Sequence, residues 1–215
     1  MDITPLGHAS FRIRGKQTTI VTDPYATAAV GMPFPRSVPA DIVTVSHDHA
    51  DHNHIASVMG TPFVIRGPGE YEIQGVSIIG FPTYHDNEKG AKRGRNTVYR
   101  MEIDGVSIVH AGDLGHELTS EEIERINGVD VLFIPVGGVY TIDGVTAAKV
   151  THAIEPMIVI PMHYHRAELD KKTFGELQPV SAFLTQLGKD SVAPLSKLNI
   201  SKDKIPEEFS VVVLE

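Results

Sequence analysis

The residues best equipped for chemistry are crowded into Ser46-His47-Asp48-His49-Ala50-Asp51-His52, which places three imidazoles and a candidate carboxylate ligand within six positions. Imidazole nitrogen and carboxylate oxygen hold zinc, iron or manganese, and such ions acidify water for hydrolysis. In a locally extended segment alternate residues share a face, so His47 and His49 can reach one ion. Asp51 and His52 are adjacent and cannot both share that side while the chain stays extended. A turn into helix there aims them at a second ion, roughly 3.5–4 Å from the first as in two-metal hydrolytic sites. The competing reading is a solvated loop that binds nothing, but H-x-H-x-D-H directly behind a hydrophobic strand is rare by chance.

That strand is Ile42-Val43-Thr44-Val45: short, β-branched, and bounded by Pro39 and the histidines, it is expected to be buried and to deliver the cluster at its end. Before it, Asp2-Leu6, Ser10-Arg14 and Thr18-Thr22 read as strands, the last stopped at Asp23-Pro24. Residues 25–40, rich in Ala, Gly and Pro, read as a surface loop flanking the substrate mouth. After it, Ile55-Met59 reads as a short helix and Thr61-Ile65 as a strand. Glu70-Gln74 with Val76-Pro82 form a hairpin about Gly75, running into Thr83-Tyr84-His85-Asp86. A second hairpin, Thr97-Ile103 with Val106-His110, is turned by Asp104-Gly105 and leads into Ala111-Gly112-Asp113. Thr119 with Glu122 three residues on is a capping box for a helix ending near Gly128. Strands at Val129-Pro135 and Met157-Pro161 flank a helix over Thr146-Ile154. Phe174-Leu187 includes a helix interrupted by Pro179, and Glu208-Glu215 reads as a closing strand.

With 215 residues and 41% hydrophobic content the chain can bury a sizeable core. Neither a membrane-spanning stretch nor a signal peptide is expected, which makes a cytoplasmic protein the default. Cysteine is absent, so any metal must be held by nitrogen and oxygen. The net charge of −8 argues against a broad nucleic-acid interface. The one basic cluster, Lys89 to Arg95, is either a solvated loop or a local grip on an anionic substrate. Specificity is expected from the loops at 25–40, 86–96 and 137–144.

H-x-H-x-D-H resembles the signature of the metallo-β-lactamase superfamily. Leu6-Gly7-His8-Ala9-Ser10-Phe11 and Pro161-Met162-His163-Tyr164 are similar to the branch containing ascorbate-6-phosphate lactonase and many uncharacterised metal-dependent hydrolases. The resemblance covers nearly the whole chain. It implies an α/β (α+β) fold, a four-layer αβ/βα sandwich of two mixed β-sheets flanked by helices, in one domain spanning 1–215. It further implies that His47, His49 and His85 hold a first metal, and Asp51, His52 and His163 a second, with the Asp113 carboxylate between them. Asp23 would lie beneath the metal loop and orient it, and His8 would join Asp51 and Asp113 as a proton-transfer or substrate-binding group. His110, His116, His152 and His165 receive no role. Two departures stand out: Leu114 where the branch often has Thr, and Asp86 directly after His85.

The activity implied is metal-dependent hydrolysis by a hydroxide bridging two divalent ions, cleaving an ester, lactone or phosphoester of a small anionic metabolite. Zinc is the default metal, with manganese or iron as alternatives. The expected partner is this small molecule; no membrane is expected, and a homo-oligomer stays open. One rival is an RNA or DNA phosphodiesterase, which usually carries an added nucleic-acid-binding segment. A redox di-iron protein would replace a motif histidine with a carboxylate and append a flavin domain. A non-catalytic, metal-dependent ligand-binding protein is the remaining alternative.

Overall fold

The computed structural model describes all residues, 1–215. Two mixed sheets account for its strands. The first has the order β12(Leu198–Asn199), β1(Asp2–Gly7), β2(Ser10–Arg14), β3(Thr19–Thr22), β4(Ile42–Val45), β5(Phe63–Arg66). The second runs β13(Ser210–Val211), β11(Ile158–Met162), β10(Val131–Pro135), β9(Val106–His110), β8(Arg95–Ile103), β7(Val76–Tyr84), β6(Gly69–Ile73). In the first sheet β3, β4 and β5 are parallel and the remaining pairs antiparallel. In the second, β9, β10, β11 and β13 are parallel while β6 to β9 form an antiparallel meander.

Side-chain alternation explains why the sheets face one another. Ile13, Ile20 and Ile42 of the first sheet meet Ile78, Met101, Ile108 and Phe133 of the second in one buried cluster. The neighbouring residues Val109, Leu132 and Val159 point the other way, onto α3(Gly144–Ile154) and α5(Val180–Gln186) through Ala147, Val150, Phe183 and Leu184. On the outer face of the first sheet Val21, Val43 and Val45 are covered by Tyr25, Val30, Phe34, Leu169 and Phe174. The layers are therefore helix, sheet, sheet, and a thinner cover built around α1(Thr27–Val30) and α4(Lys171–Phe174). The remaining helix, α2(Ser120–Ile126), starts at the expected capping box, formed by Thr119 and Glu122.

Local expectations differ from the structure where tertiary packing decides. The segment 25–40 is not a free surface loop: Tyr25, Val30, Phe34 and Val38 are buried and form the outer cover of the first sheet. Only its exposed positions keep the surface character that the Ala, Gly and Pro content suggests. The closing strand shrinks to Ser210–Val211, and the helix expected at 55–59 is a single 3₁₀ turn over Ile55–Ser57. Pro179, foreseen as an interruption, stands at the N-terminus of α5 and separates it from α4. No helix is long and apolar enough to cross a membrane.

The topology places chemistry at one edge. Strands β7, β9, β10 and β11 all run in one direction, since two antiparallel steps separate β7 from β9 and the rest are parallel. Their C-terminal ends release His85, Asp113, the loop 137–141 and His163, while β4 of the facing sheet releases the histidine cluster. Ligands bind beyond the carboxyl ends of strands in this way when loops from several strands converge.

Candidate metal centre

Asp113 is the centre of the arrangement. Its Oδ2 lies 3.3 Å from Nε2 of each of His52, His85 and His163, and 3.8 Å from Nε2 of His47. Two further groupings bring ligand atoms within 4.8 Å of one another: His47, His49 and His85, and His8, Asp51, His52 and His163. Asp51 Oδ2 is 3.5 Å from His52 Nε2 and 3.3 Å from His8 Nε2. The structure thus brings together all seven residues expected to hold metal, with His8 beside them. The segment after His49 does turn, through N–H groups of His52 and Asn53 that donate to the His49 carbonyl.

What orients His47 and His52 is visible on their outer nitrogens. His52 Nδ1 meets Asp23 Oδ2 at 2.9 Å, so its Nε2 carries the lone pair facing inward. Asp23 also accepts from the Ser46 N–H (2.8 Å) and hydroxyl (2.6 Å), and the Ser46 hydroxyl lies 2.9 Å from His47 Nδ1. Asp23 therefore sits beneath the metal loop, as the resemblance implies. Asn96 does the same for Asp113: it accepts the Asp113 N–H and donates to the Ala111 carbonyl and the Thr83 hydroxyl. Gly112 makes this possible, because a Cβ there would lie 2.4 Å from Asn96 Oδ1 and 2.5 Å from Ser46 Cβ, at a φ of +56°.

The donor set fits metal. His47 Nε2, His52 Nε2, His163 Nε2 and Asp113 Oδ1 are buried and have no hydrogen-bond partner. Buried polar atoms are almost always partnered, so several orphans clustered within a few ångströms fit a cation's place. Their charges agree. Burial would raise the carboxyl of Asp113, but His163 and His52 hold it well below the usual carboxylate range. Burial also opposes ionisation of Asp51 and Asp23, and neighbouring histidines outweigh it in both. His52 moves the other way: burial disfavours its charge, yet Asp113 and Asp51 raise it well above an ordinary imidazole.

Four imidazoles, those of His8, His47, His85 and His110, are driven toward neutrality. Burial and then His163 push His8 down to about 4, and burial and then His52 push His47 down to about 3. Burial likewise lowers His85 and His110. In the unfolded chain each takes up a proton near pH 6.5. For these four the metal-free protein loses stability as pH falls through that value toward their folded values. His52 alone opposes this, contributing stability that is lost as pH rises through its folded value. Metal-stripped protein is thus expected to melt at a progressively lower temperature from pH 7 to pH 5. A melting temperature that is flat or rises over that interval would contradict it.

The remaining histidines divide clearly. His110 is fully buried, ties its Nε2 to the Ala9 carbonyl across the sheets at 2.9 Å and accepts the Gly112 N–H at Nδ1, so it braces the Asp113 loop. His116 accepts the Tyr84 N–H, and His152 and His165 are exposed. Leu114 is fully buried in the core beneath the helices, and no hydroxyl is needed there because Asn96 supports Asp113.

Above the centre lies a cavity of about 320 Å³, walled by Asp51, Asp113, His163, Arg93, Tyr140 and Phe174. Ala29 also borders it, which puts the 25–40 segment at the mouth as expected. His8 is not in its walls; it packs 4.1 Å from His163 and 4.9 Å from Phe174, ring centre to ring centre. Asp23, His163 and His8 hold φ between +41° and +54°, and Val139, in the loop beside the cavity, +60°. Such backbone costs on the order of 1–3 kcal/mol per residue and clusters at functional sites.

Comparison with known proteins agrees with this geometry. Residues 2–163 match the family described as the beta-lactamase superfamily domain. A metal-dependent hydrolase of Thermococcus onnurineus is 31% identical over 186 residues, covering 74% of this chain and 83% of its own. One from Thermococcus kodakarensis is 32% identical over 193 residues with the same coverage. A crystal structure from Thermotoga maritima, assigned as a Zn-dependent hydrolase of the metallo-β-lactamase superfamily, superposes with a TM-score of 0.81 at 39% identity. It covers 100% of this chain and 98% of its own. With the paired mixed sheets and the strand-end histidines and aspartates already described, the chain belongs to the metallo-β-lactamase superfamily and to the metal-dependent hydrolases within it.

Proposed function

We propose that the protein is a dinuclear hydrolase of small esters, lactones or phosphoesters. His47, His49 and His85 would hold one ion, Asp51, His52 and His163 the other, with Asp113 between them. The observation carrying this reading is the convergence of Nε2 atoms from His52, His85 and His163 on one Asp113 oxygen, each at 3.3 Å. When bound, a pair of divalent cations supplies an acidified water as nucleophile and a Lewis acid for the oxygen under attack. Nitrogen and oxygen donors suit zinc, and manganese or iron also. Zinc is favoured because the Thermotoga maritima neighbour is assigned to it.

The chain's own residues would do the rest. Asp23 and Ser46 fix the tautomers of His52 and His47, so that lone pairs rather than N–H groups face the centre. Tyr140 and Phe174 form an apolar wall that limits water around the scissile bond. His8 touches Asp51 and not the cavity, and its role would be to hold that carboxylate in place.

Elemental analysis of protein purified without chelator tests the reading, paired with a hydrolysis panel of a lactone, a carboxylic ester, a phosphodiester and a phosphomonoester. About two ions per chain and turnover abolished by chelator are expected. His49 is exposed, so His49→Ala should fold normally while losing at least about a hundredfold in activity and part of its metal, more than the loss of a supporting residue brings. Full metal content and full activity in that variant would refute the ligand assignment. Metal-independent ligand binding without turnover would favour a sensor.

A further inference from the structure

A second, larger cavity of about 790 Å³ opens beside the metal centre, between the edge strand β5 and the start of β8. Arg66, Arg93 and Arg95 are among the residues that wall it. His49 and Arg93 border both this groove and the cavity above Asp113, so the two spaces share a wall. Nothing in the hydrolytic chemistry calls for three guanidiniums there.

Their pairing is the informative part. The arginine–carboxylate pairs of the molecule are Arg66 with Asp48, at a loose 3.6 Å, Arg100 with Glu102, and Arg166 with Glu168. Arg93 and Arg95 have no carboxylate partner. Arg93, half-buried and bordering both cavities, lies with its guanidinium over the Tyr140 ring, 5.4 Å from its centroid. In a chain carrying −8 overall, three arginines on one groove, two of them without a carboxylate partner, are a local reversal of charge.

The loop that presents them is built rather than free. Asp86, buried next to His85, accepts the N–H groups of Glu88 and Gly90 on one oxygen and of Lys92 and Arg93 on the other, at 2.7–2.9 Å. These four bonds lock the backbone of Arg93 to the residue beside a metal-facing histidine. Pre-ordering of this kind lowers the conformational cost of binding.

We propose that this groove is a phosphate-binding subsite, and that the substrate straddles Arg93. Its scissile bond would lie over the metal centre, and a phosphate group on the same molecule would rest against Arg66, Arg93 and Arg95. Three guanidiniums less the exposed Asp48 carboxylate leave two positive charges, which match a phosphate monoester dianion. The inference rests on the hydrolase reading for the scissile end only; the anion grip is a property of the arginines themselves.

The test separates the two. Purified protein as isolated is assayed with 4-nitrophenyl butyrate and with its 4-phosphonooxy derivative, and titrated calorimetrically with butylphosphonate. Wild type should favour the phosphorylated ester at least tenfold in kcat/KM. In the double variant Arg66→Ala, Arg95→Ala that ratio should fall at least tenfold, butylphosphonate binding should weaken to match, and lysine at both positions should restore part of each. Equal kcat/KM values for the two wild-type reactions would overturn the proposal. So would butylphosphonate binding unchanged in the double variant, which would place the anion on the metal centre. Arginine-dependent phosphonate binding with neither ester turned over would keep the subsite and reject ester hydrolysis. Tight, steeply salt-dependent binding of an RNA oligonucleotide, lost in the double variant, would overturn the small-molecule assignment in favour of nucleic acid.

Discussion

Asp113→Asn should lower turnover on the order of a thousandfold or more, and should leave the purified protein short of metal. The substitution preserves shape, so the loss isolates charge. In the native centre one carboxylate oxygen faces four imidazole nitrogens at 3.3–3.8 Å, and its negative charge is what makes the gathering of so many cation-seeking groups favourable. An asparagine presents either a neutral carbonyl or an N–H₂ group to that point. The first weakens every contact, and the second repels a cation outright. His52 provides an independent readout: since Asp113 is the largest influence raising its basicity against burial, its titration in the metal-free variant should move down. Wild-type metal content with wild-type turnover in Asp113→Asn would mean that Asp113 is not at the heart of the centre.

How much of this was legible in the sequence depends on the distance over which each interaction acts. The His47 to His52 cluster could be found because its spacing is local and the strand before it is apolar at every position; Ile42 to Val45 are all buried. The Thr119 box and the Asp104-Gly105 turn are likewise local, and both formed as expected. His85, Asp113 and His163 needed the family resemblance, since nothing in their immediate surroundings tells them from other histidines and aspartates after strands. Asn96 gave no signal at all: its contacts to Asp113 and Ala111 exist only through the register of β8 on β9. The same holds for the arginine groove. Arg66 and Arg95 are far apart in sequence and come to line one cavity only because edge strand β5 of one sheet faces the start of β8 in the other. Composition could mark 89–95 as basic, but could not show that Asp86 pins that loop from beneath. Residues 25–40 misled because burial there is carried by four separated side chains, too few and too irregular to produce a periodic pattern.

Asp23→Ala is expected to produce the largest stability loss, about 3–5 kcal/mol. Asp23 is fully buried and is the acceptor for the Ser46 backbone, the Ser46 hydroxyl and His52. Alanine leaves all three groups unpaired in the interior, and it also suits the φ of +41° less well than aspartate does. At about 2–4 °C per kcal/mol for a chain of this size, thermal unfolding should fall by roughly 6–20 °C. Asp23→Asn separates fold from function. Its carbonyl can still accept the Ser46 N–H, but its amide must face His52 Nδ1, and two donors cannot meet. His52 then carries its proton on Nε2, pointing an N–H at the centre where a lone pair is required. The expected result is a loss of only about 1–2 kcal/mol in stability together with a 10–100-fold loss in metal affinity. If the two variants instead lose stability and metal affinity in constant proportion, Asp23 merely supports the fold. If Asp23→Asn binds metal normally, the tautomer of His52 is set by something other than this carboxylate.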